Sequence, residues 1–130
     1  MEPCIFCELI SKYDNTHISN VIFKNKDIVA FYDNYPVSKG HTLIIPKRHV
    51  KSYFELNLTE ILSINDALRE CKKFLTQMYS PDGFNIGIND GEAAGQTVFH
   101  LHIHLIPRYF GDMEDPKGGV RGVIPNKQKY

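Results

Sequence analysis

Three of the six histidines fall within five residues, at His100, His102 and His104. The segment around them, Val98 to Ile106, alternates with period two: Phe99, Leu101, Ile103 and Leu105 take one side and the histidines the other. On a strand, successive side chains point to opposite faces, so this pattern predicts three imidazoles on one face, about 6.5–7 Å apart. A half-exposed strand whose polar face merely happens to be histidine needs a coincidence of a rare residue. Two chemistries use such a row. Alternate histidines can converge on one zinc ion, or one imidazole can act as a nucleophile while its neighbours set tautomer and charge. Spacing alone does not choose between them.

The flanks bear on the choice. Upstream runs Asn89-Asp90-Gly91-Glu92-Ala93-Ala94-Gly95-Gln96-Thr97, whose small residues let backbone N–H groups approach a ligand closely. Glycine-rich backbone, an amide and a hydroxyl beside histidines suit a phosphate oxyanion better than a bare cation. No Gly-Lys-Ser/Thr follows, so this is not a P-loop.

The cysteines pose a separate question. Cys4 and Cys7 form a Cys-x-x-Cys pair and Cys71 stands alone. An odd count with one close pair is no disulfide framework; it indicates a reducing, cytoplasmic setting and either metal or redox chemistry for the pair. A tetrahedral structural zinc site needs two further ligands. Cys71 is a rival, but its helical spacing with apolar neighbours marks it as core.

Elements must position these groups. Cys4 to Tyr13 reads as a short helical turn carrying the Cys pair. Ser19–Lys24 and Ile28–Asp33, separated by Asn25-Lys26-Asp27, read as a hairpin. Asn34 to Gly40, with Pro36, is a loop, and His41–Ile45 is a strand stopped by Pro46. Asn57-x-x-Glu60 resembles a capping box, and Leu58, Ile61, Leu62, Leu68, Leu75 and Met78 then recur at helical spacing until Ser80-Pro81-Asp82-Gly83. Strands are expected at Phe84–Asn89 and Val98–Ile106. Five strands with short connections and one long helix make an α+β domain with a five-stranded antiparallel sheet and a short N-terminal helix. From Gly111 onward apolar pattern is lost, so residues 111–130 are expected to form an extended tail, held by a partner subunit, after a domain of residues 1–110.

Bulk composition agrees. The chain has 130 residues, 42% hydrophobic and 23% charged, with fifteen Lys+Arg against fifteen Asp+Glu. That is enough for one domain with a real core. The charge balance argues against a sequence-independent nucleic-acid binder, which needs a basic surplus. No apolar run approaches the ~20 residues of a membrane span, and Met1-Glu2-Pro3-Cys4 lacks the features of a signal peptide.

Together, Gly95-Gln96-Thr97-Val98-Phe99-His100-Leu101-His102-Ile103-His104-Leu105-Ile106 resembles the signature of the histidine triad (HIT) superfamily. Asp33 with Gly40-His41-Thr42-Leu43-Ile44-Ile45-Pro46-Lys47-Arg48-His49 resembles its second block, and the likeness spans Cys4 to about Arg108. The resemblance implies a nucleotide hydrolase or transferase that attacks an α-phosphate through a nucleotidyl-histidine. His102 would be the nucleophile, with His104, His41 and Thr97 as the other catalytic residues. Gly95, Gln96, Thr97 and Val98 would hold phosphate oxygens with Asn89 beside them. Asp33 would accept from the ribose hydroxyls, and the base would lie in an apolar slot for which Phe6 and Ile22 are candidates.

Some bacterial members have the cysteine pair and complete a structural zinc site with two histidines, here His49 and His100. Most members of this size are homodimers paired through the long helix and an edge strand, which would extend the sheet across the dimer. The implied substrates are purine nucleoside phosphoramidates and mixed anhydrides, that is AMP or GMP derivatives. Gly95–Val98 followed by Ile106-Pro107-Arg108 also resembles the fragile-histidine-triad branch, which cleaves dinucleoside polyphosphates. A purine-nucleotide-binding regulator with vestigial turnover and a small zinc-stabilised interaction module are the non-enzyme alternatives.

Overall fold

The computed structural model describes residues 4–15 and 20–130. Ser19, the expected first residue of the hairpin, lies outside them. Helix α1 (Ile5–Asn15) is followed by β1 (Val21–Lys24), β2 (Ile28–Tyr32), β3 (Thr42–Pro46), α2 (Leu58–Tyr79), β4 (Gly83–Ile88) and β5 (Ile103–Arg108). The strands form one five-stranded antiparallel sheet in the order β1-β2-β3-β5-β4. Its first turn is closed by Asn25, whose side-chain oxygen accepts from the amides of Asp27 and Ile28 at 3.0 and 2.9 Å, the local bonding that makes Asn a turn residue.

The two sheet faces are apolar in different company. Ile28, Ala30, Ile44, Ile103 and Leu105 pack under α2, against Ile64, Ala67, Cys71 and Leu75. Val29, Phe31, Leu43 and Ile45 pack under Phe6 and Ile10 of α1. Alternation along β5 then fixes which way its histidine points. With Ile103 and Leu105 turned to α2, His104 faces the α1 side, opposite Leu43 on β3 and Gly87 on β4.

Helix α2 begins as its sequence predicts. Asn57 Oδ1 accepts from the Glu60 amide at 2.8 Å and Glu60 Oε1 accepts from the Asn57 amide at 3.0 Å, a complete capping box. Glu60 is also buried and bound by both ends of the Arg48 guanidinium, at 3.0 and 2.8 Å, which holds its carboxyl below the usual range. The apolar periodicity, however, contains two stripes. Leu75 belongs to the inner one, whereas Leu58, Leu62 and Met78 are exposed on the outside.

Gly40 turns the chain into β3 at φ +88°, where a Cβ would come within 3.0 to 3.2 Å of Tyr79, Leu75 and Pro107. Both the left-handed backbone and the close approach require glycine there, immediately before His41.

Two expectations are corrected. Strand β5 starts at Ile103, not Val98, because the chain bends over Val98–His100 and joins no ladder there. The tail is not extended. It coils through 3₁₀ turns at Gly119–Val123 and Pro125–Lys127 around Gln128, whose side chain donates to the Lys117 carbonyl while Arg121 donates to the carbonyls of Lys127 and Gln128. Gly118 and Gly122 leave room for Gln128, which a Cβ at either would strike.

Candidate active site

The bend redistributes the three histidines. Phe99 turns outward to 44% exposure and His100 becomes fully buried, while His102 and His104 remain half-buried on the α1 face of the sheet. The period-two alternation thus holds from Leu101 onward and fails at Phe99 and His100, because His100 turns in toward the cysteine pair. One row becomes two sites that meet at His100.

The first site contains His102, His104, His41 and Asp33. His102 and His104 rings lie 5.4 Å apart, and Phe6 meets the His102 ring edge-on at 5.2 Å. Hydrogen-bond partners assign the tautomers. His102 Nδ1 is 2.9 Å from the His100 carbonyl oxygen, which can only accept, so Nδ1 carries the proton and the neutral ring keeps its lone pair on Nε2. The Val37 amide donates to His41 Nδ1 at 3.1 Å, so the neutral His41 ring carries its proton on Nε2. From there it is donated to His104 Nδ1 at 2.9 Å, with Asp33 Oδ2 at 3.4 Å beside it. His104 must then carry its own proton on Nε2, as a donor.

Electrostatics keep this relay uncharged. Burial pushes His104 down to about 4, helped by the neighbouring His102 and His41 and opposed by Asp33. Burial likewise lowers His41, again opposed by Asp33. His104 therefore serves as a neutral hydrogen-bond donor near pH 7 rather than as a cation. Asp33 is fixed by the Tyr35 amide, which donates to Oδ1 at 2.8 Å.

The loop before the triad also departs in part from its expected role. Gln96 is buried; its Oε1 accepts from the Gly91 amide at 2.9 Å, and its Nε2 donates to the carbonyls of Lys51 and Val98 at 2.9 and 3.2 Å. Its side chain is thus a strut within the loop. Thr97 is exposed, Val98 packs toward α1, and Gly95, at φ +94°, lies against Asn89, whose amide nitrogen would be 3.9 Å from a Cβ at Gly95. Of the two slot candidates, Phe6 rests on the triad face among Val21 and Phe31, whereas Ile22 packs against the core under α2. Val21 and Phe31 carry only a generic apolar signal in sequence.

The second site gathers Cys4, Cys7, His49 and His100, whose ligand atoms all lie within 4.8 Å of one another. His100 Nε2 donates to the Pro46 carbonyl at 2.7 Å, leaving the Nδ1 lone pair for the cluster. That nitrogen is 3.3 Å from Cys4 Sγ, 3.6 Å from Cys7 Sγ and 3.2 Å from His49 Nδ1; Cys7 Sγ is 3.3 Å from His49 Nδ1. Tetrahedral zinc, with bonds of about 2.3 Å to sulfur and about 2.0–2.1 Å to nitrogen, requires ligand atoms roughly 3.3–3.8 Å apart. The donor set fits. Without an ion, burial and the neighbouring Cys4 push the Cys7 thiol up to about 11.

Asp33, His41 and His104 also have metal-ligand spacing, but the Val37 amide holds the His41 proton on the nitrogen that would have to ligate. That trio is a hydrogen-bond relay. Cys71 is fully buried in the core under α2, away from the cluster.

The model of the HIT domain matches residues 15–111. An uncharacterized HIT-like protein of Methanocaldococcus jannaschii is 38% identical over 117 residues, 89% of this chain and 87% of its own length. A bis(5'-nucleosyl)-tetraphosphatase (asymmetrical) of Schizosaccharomyces pombe is 36% identical over 97 residues, 75% of this chain and 53% of its length. The crystal structure of a zinc-bound histidine triad family protein from Mycobacterium smegmatis superposes with a TM-score of 0.73 at 32% identity, covering 86% of this chain and 79% of that one.

Proposed function

The chain belongs to the HIT domain family, and on that footing we propose that it hydrolyses nucleoside phosphoramidates or mixed anhydrides at the α-phosphate through a nucleotidyl-histidine on His102. One observation carries this reading: the His100 carbonyl holds the His102 proton on Nδ1 and leaves Nε2 free to attack. The Nε2 lone pair forms a bond to phosphorus as the bond from phosphorus to the leaving group breaks; that group departs with the electron pair and is protonated by solvent. The imidazolium so formed keeps Nδ1–H on the His100 carbonyl. Water then displaces it from phosphorus, releasing the nucleoside monophosphate and restoring the lone pair.

The surrounding groups have matching roles. His104 Nε2–H, Thr97 and the amides of the Gly95–Val98 turn, flanked by Asn89, stabilise the non-bridging oxygens. Asp33 accepts from the ribose hydroxyls. A purine stacks in the apolar slot at Phe6, which Val21 and Phe31 extend in place of Ile22. Rapid-quench single turnover with a labelled adenosine phosphoramidate, followed by peptide mapping, should find AMP on His102; no adduct, or an adduct elsewhere, ends this mechanism.

A second substrate class has its own support. The Schizosaccharomyces pombe relative is named as a dinucleoside tetraphosphatase, and the same nucleophile would serve. A kcat/KM for a diadenosine polyphosphate well above that for the phosphoramidate would select it.

The Cys4–Cys7–His49–His100 centre is read as structural zinc, one ion per chain, in a cytoplasmic protein whose thiols stay reduced. Among the described residues, no helix is long and apolar enough to cross a membrane. The exposed outer stripe of α2 and the groove of about 1130 Å³ between α2 and edge strand β4, lined by Leu68, Phe84 and Ile86, support pairing of two copies. Sedimentation should find a dimer at micromolar concentration.

A further inference from the structure

We infer that Ser38 and Tyr109 are positioning residues of the site: their side chains anchor the exposed stretch of residues 34–37, whose backbone amides hold Asp33 and His41. The inference rests on the proposed roles of Asp33 toward the ribose and of His41 behind His104, and it names what keeps those two groups in place.

Asp33 follows the last residue of β2 and His41 precedes the first residue of β3, so residues 34–40 form a strap between them. The strap supplies one amide to each. Tyr35 N–H donates to Asp33 Oδ1 at 2.8 Å, and Val37 N–H donates to His41 Nδ1 at 3.1 Å. Neither amide is fixed by burial of its own residue. Asn34, Tyr35, Pro36 and Val37 are all exposed, Tyr35 at 87% and Val37 at 71%. A stretch that buries so little opens easily, so its conformation must be set by bonds at its base.

That base is tied to the end of β5 at two points. β3 and β5 pair last at Thr42 and Leu105, and the turn at Gly40 then takes the chain off the ladder. The Pro107 carbonyl lies beyond that last pair, and Ser38 Oγ–H donates to it at 2.6 Å. Pro107 is fully buried, so the serine hydroxyl satisfies an acceptor that water reaches poorly. One residue further along the strap, Tyr109 Oη–H donates to the Lys39 carbonyl at 2.8 Å.

From Ser38 the constraint passes to both functional groups. Its carbonyl accepts from the His41 amide at 3.2 Å, and the His41 carbonyl accepts from the Asp33 amide at 2.9 Å. Those bonds run between neighbours in the strap and cannot by themselves place it over the sheet. The two side-chain anchors, with the close approach of Gly40 to Tyr79, Leu75 and Pro107, do so. Without them the Tyr35 amide leaves the Asp33 carboxylate, and the Val37 amide leaves His41 free to turn from His104.

The test reads amide hydrogen exchange of the full chain without nucleotide, and then binding of AMP and 2′-deoxy-AMP by calorimetry. In the wild type, the Tyr35 and Val37 amides should be protected despite their exposure. Ser38→Ala should speed exchange of both by about 10-fold or more while amides on the inner face of α2 keep their protection. It should lower kcat/KM about 10- to 100-fold and shrink the preference for AMP over 2′-deoxy-AMP about threefold or more. Ser38→Thr, which retains the hydroxyl, should restore all three. Tyr109→Phe removes the exposed anchor without stranding a buried carbonyl and should act in the same direction more weakly; if Ser38→Ala does not fold, it carries the test. Unchanged exchange at Tyr35 and Val37 in the folded variants overturns the inference, as does an equal rise at every amide, the mark of a merely structural role. So does a folded Ser38→Ala protein that keeps the wild-type preference for AMP. A wild type that binds both nucleotides equally, with the two amides still responding to Ser38→Ala, leaves the anchoring in place and removes the proposed role of Asp33 instead.

Discussion

His41 and His104 are joined nitrogen to nitrogen: Nε2 of one lies 2.9 Å from Nδ1 of the other, and the Val37 amide settles that the proton between them belongs to His41. The pair can therefore act on a phosphate only through the far nitrogen of His104, as a neutral donor. His41→Ala removes the proton that fixes His104 without removing a group that faces phosphorus. We expect kcat to fall by at most roughly 10²-fold, the lower end of the cost of losing one preorganised donor, with KM little changed. A loss as large as that of His102→Asn would mean that His41 itself touches the reacting atoms.

Replacing His102 by Asn should lower turnover by at least roughly 10³-fold while calorimetry finds nucleotide binding largely intact, since the lost interaction exists only in the transition state. Retention of more than about a tenth of the activity would contradict the nucleophile assignment.

Stability should depend on pH through His104. Its pKa lies at about 4 in the folded chain and near 6.5 when unfolded. The unfolded state therefore binds more protons between those values, and stability falls as pH drops through that window. His41, lowered for the same reason, acts in the same direction; Asp33 opposes both, and His102 faces His104 from one side. The expected loss between pH 7 and pH 4 is about 3 kcal/mol for His104. Urea midpoints across this range should show the decline, and His104→Gln should flatten it.

Metal analysis of protein purified without chelators should find about one zinc per chain. Removing it should lower the melting temperature, because the ion ties α1 to the chain beyond β3 and to the bend before β5. Cys4→Ser and chelation should not add, since each abolishes the same link. Metal-free protein with an unchanged melting temperature would rule out a structural role.

Gly87 lies opposite His104 on β4, and a Cβ there would meet nothing within 4 Å. Gly87→Val should therefore fold normally, with stability unchanged or raised by up to about 1 kcal/mol. Its side chain should occupy space beside the proposed phosphate site and reduce kcat/KM about 10-fold. Unaltered kinetics would show that substrate does not pass over Gly87.

The parts of the molecule legible in sequence were those encoded locally. Asn57 and Glu60 announce the start of α2 by their spacing, and Asn25 announces the first turn, because each bonds within three residues. The alternation of Leu101 to Leu105 likewise reported the correct face for His102 and His104. It misled at Phe99 and His100, where a long-range demand, reaching Cys4 and Cys7, overrides the strand period. Exposed Leu58, Leu62 and Met78 look like core in one dimension because a helix can carry two apolar stripes. The Val37 amide that sets the His41 tautomer has no sequence signal, since any residue but proline could supply it. An amide beside histidines suits a phosphate ligand, so the sequence at Gln96 points to that role; its partners, the carbonyls of Lys51 and Val98 and the amide of Gly91, appear only in three dimensions.

The strand order carries a consequence for how the molecule is made. β5 is the last strand in sequence yet takes the place between β3 and β4. While the ribosome has delivered only the chain through β4, β3 has an open edge and β4 has no neighbour to pair with. Such a nascent chain exposes apolar strands that invite misassociation. The segment that closes this gap immediately follows His102. Completion of the sheet and arrival of His102, the proposed nucleophile, are thus a single event in the chain's synthesis, and no unfinished product combines an intact sheet with a missing His102.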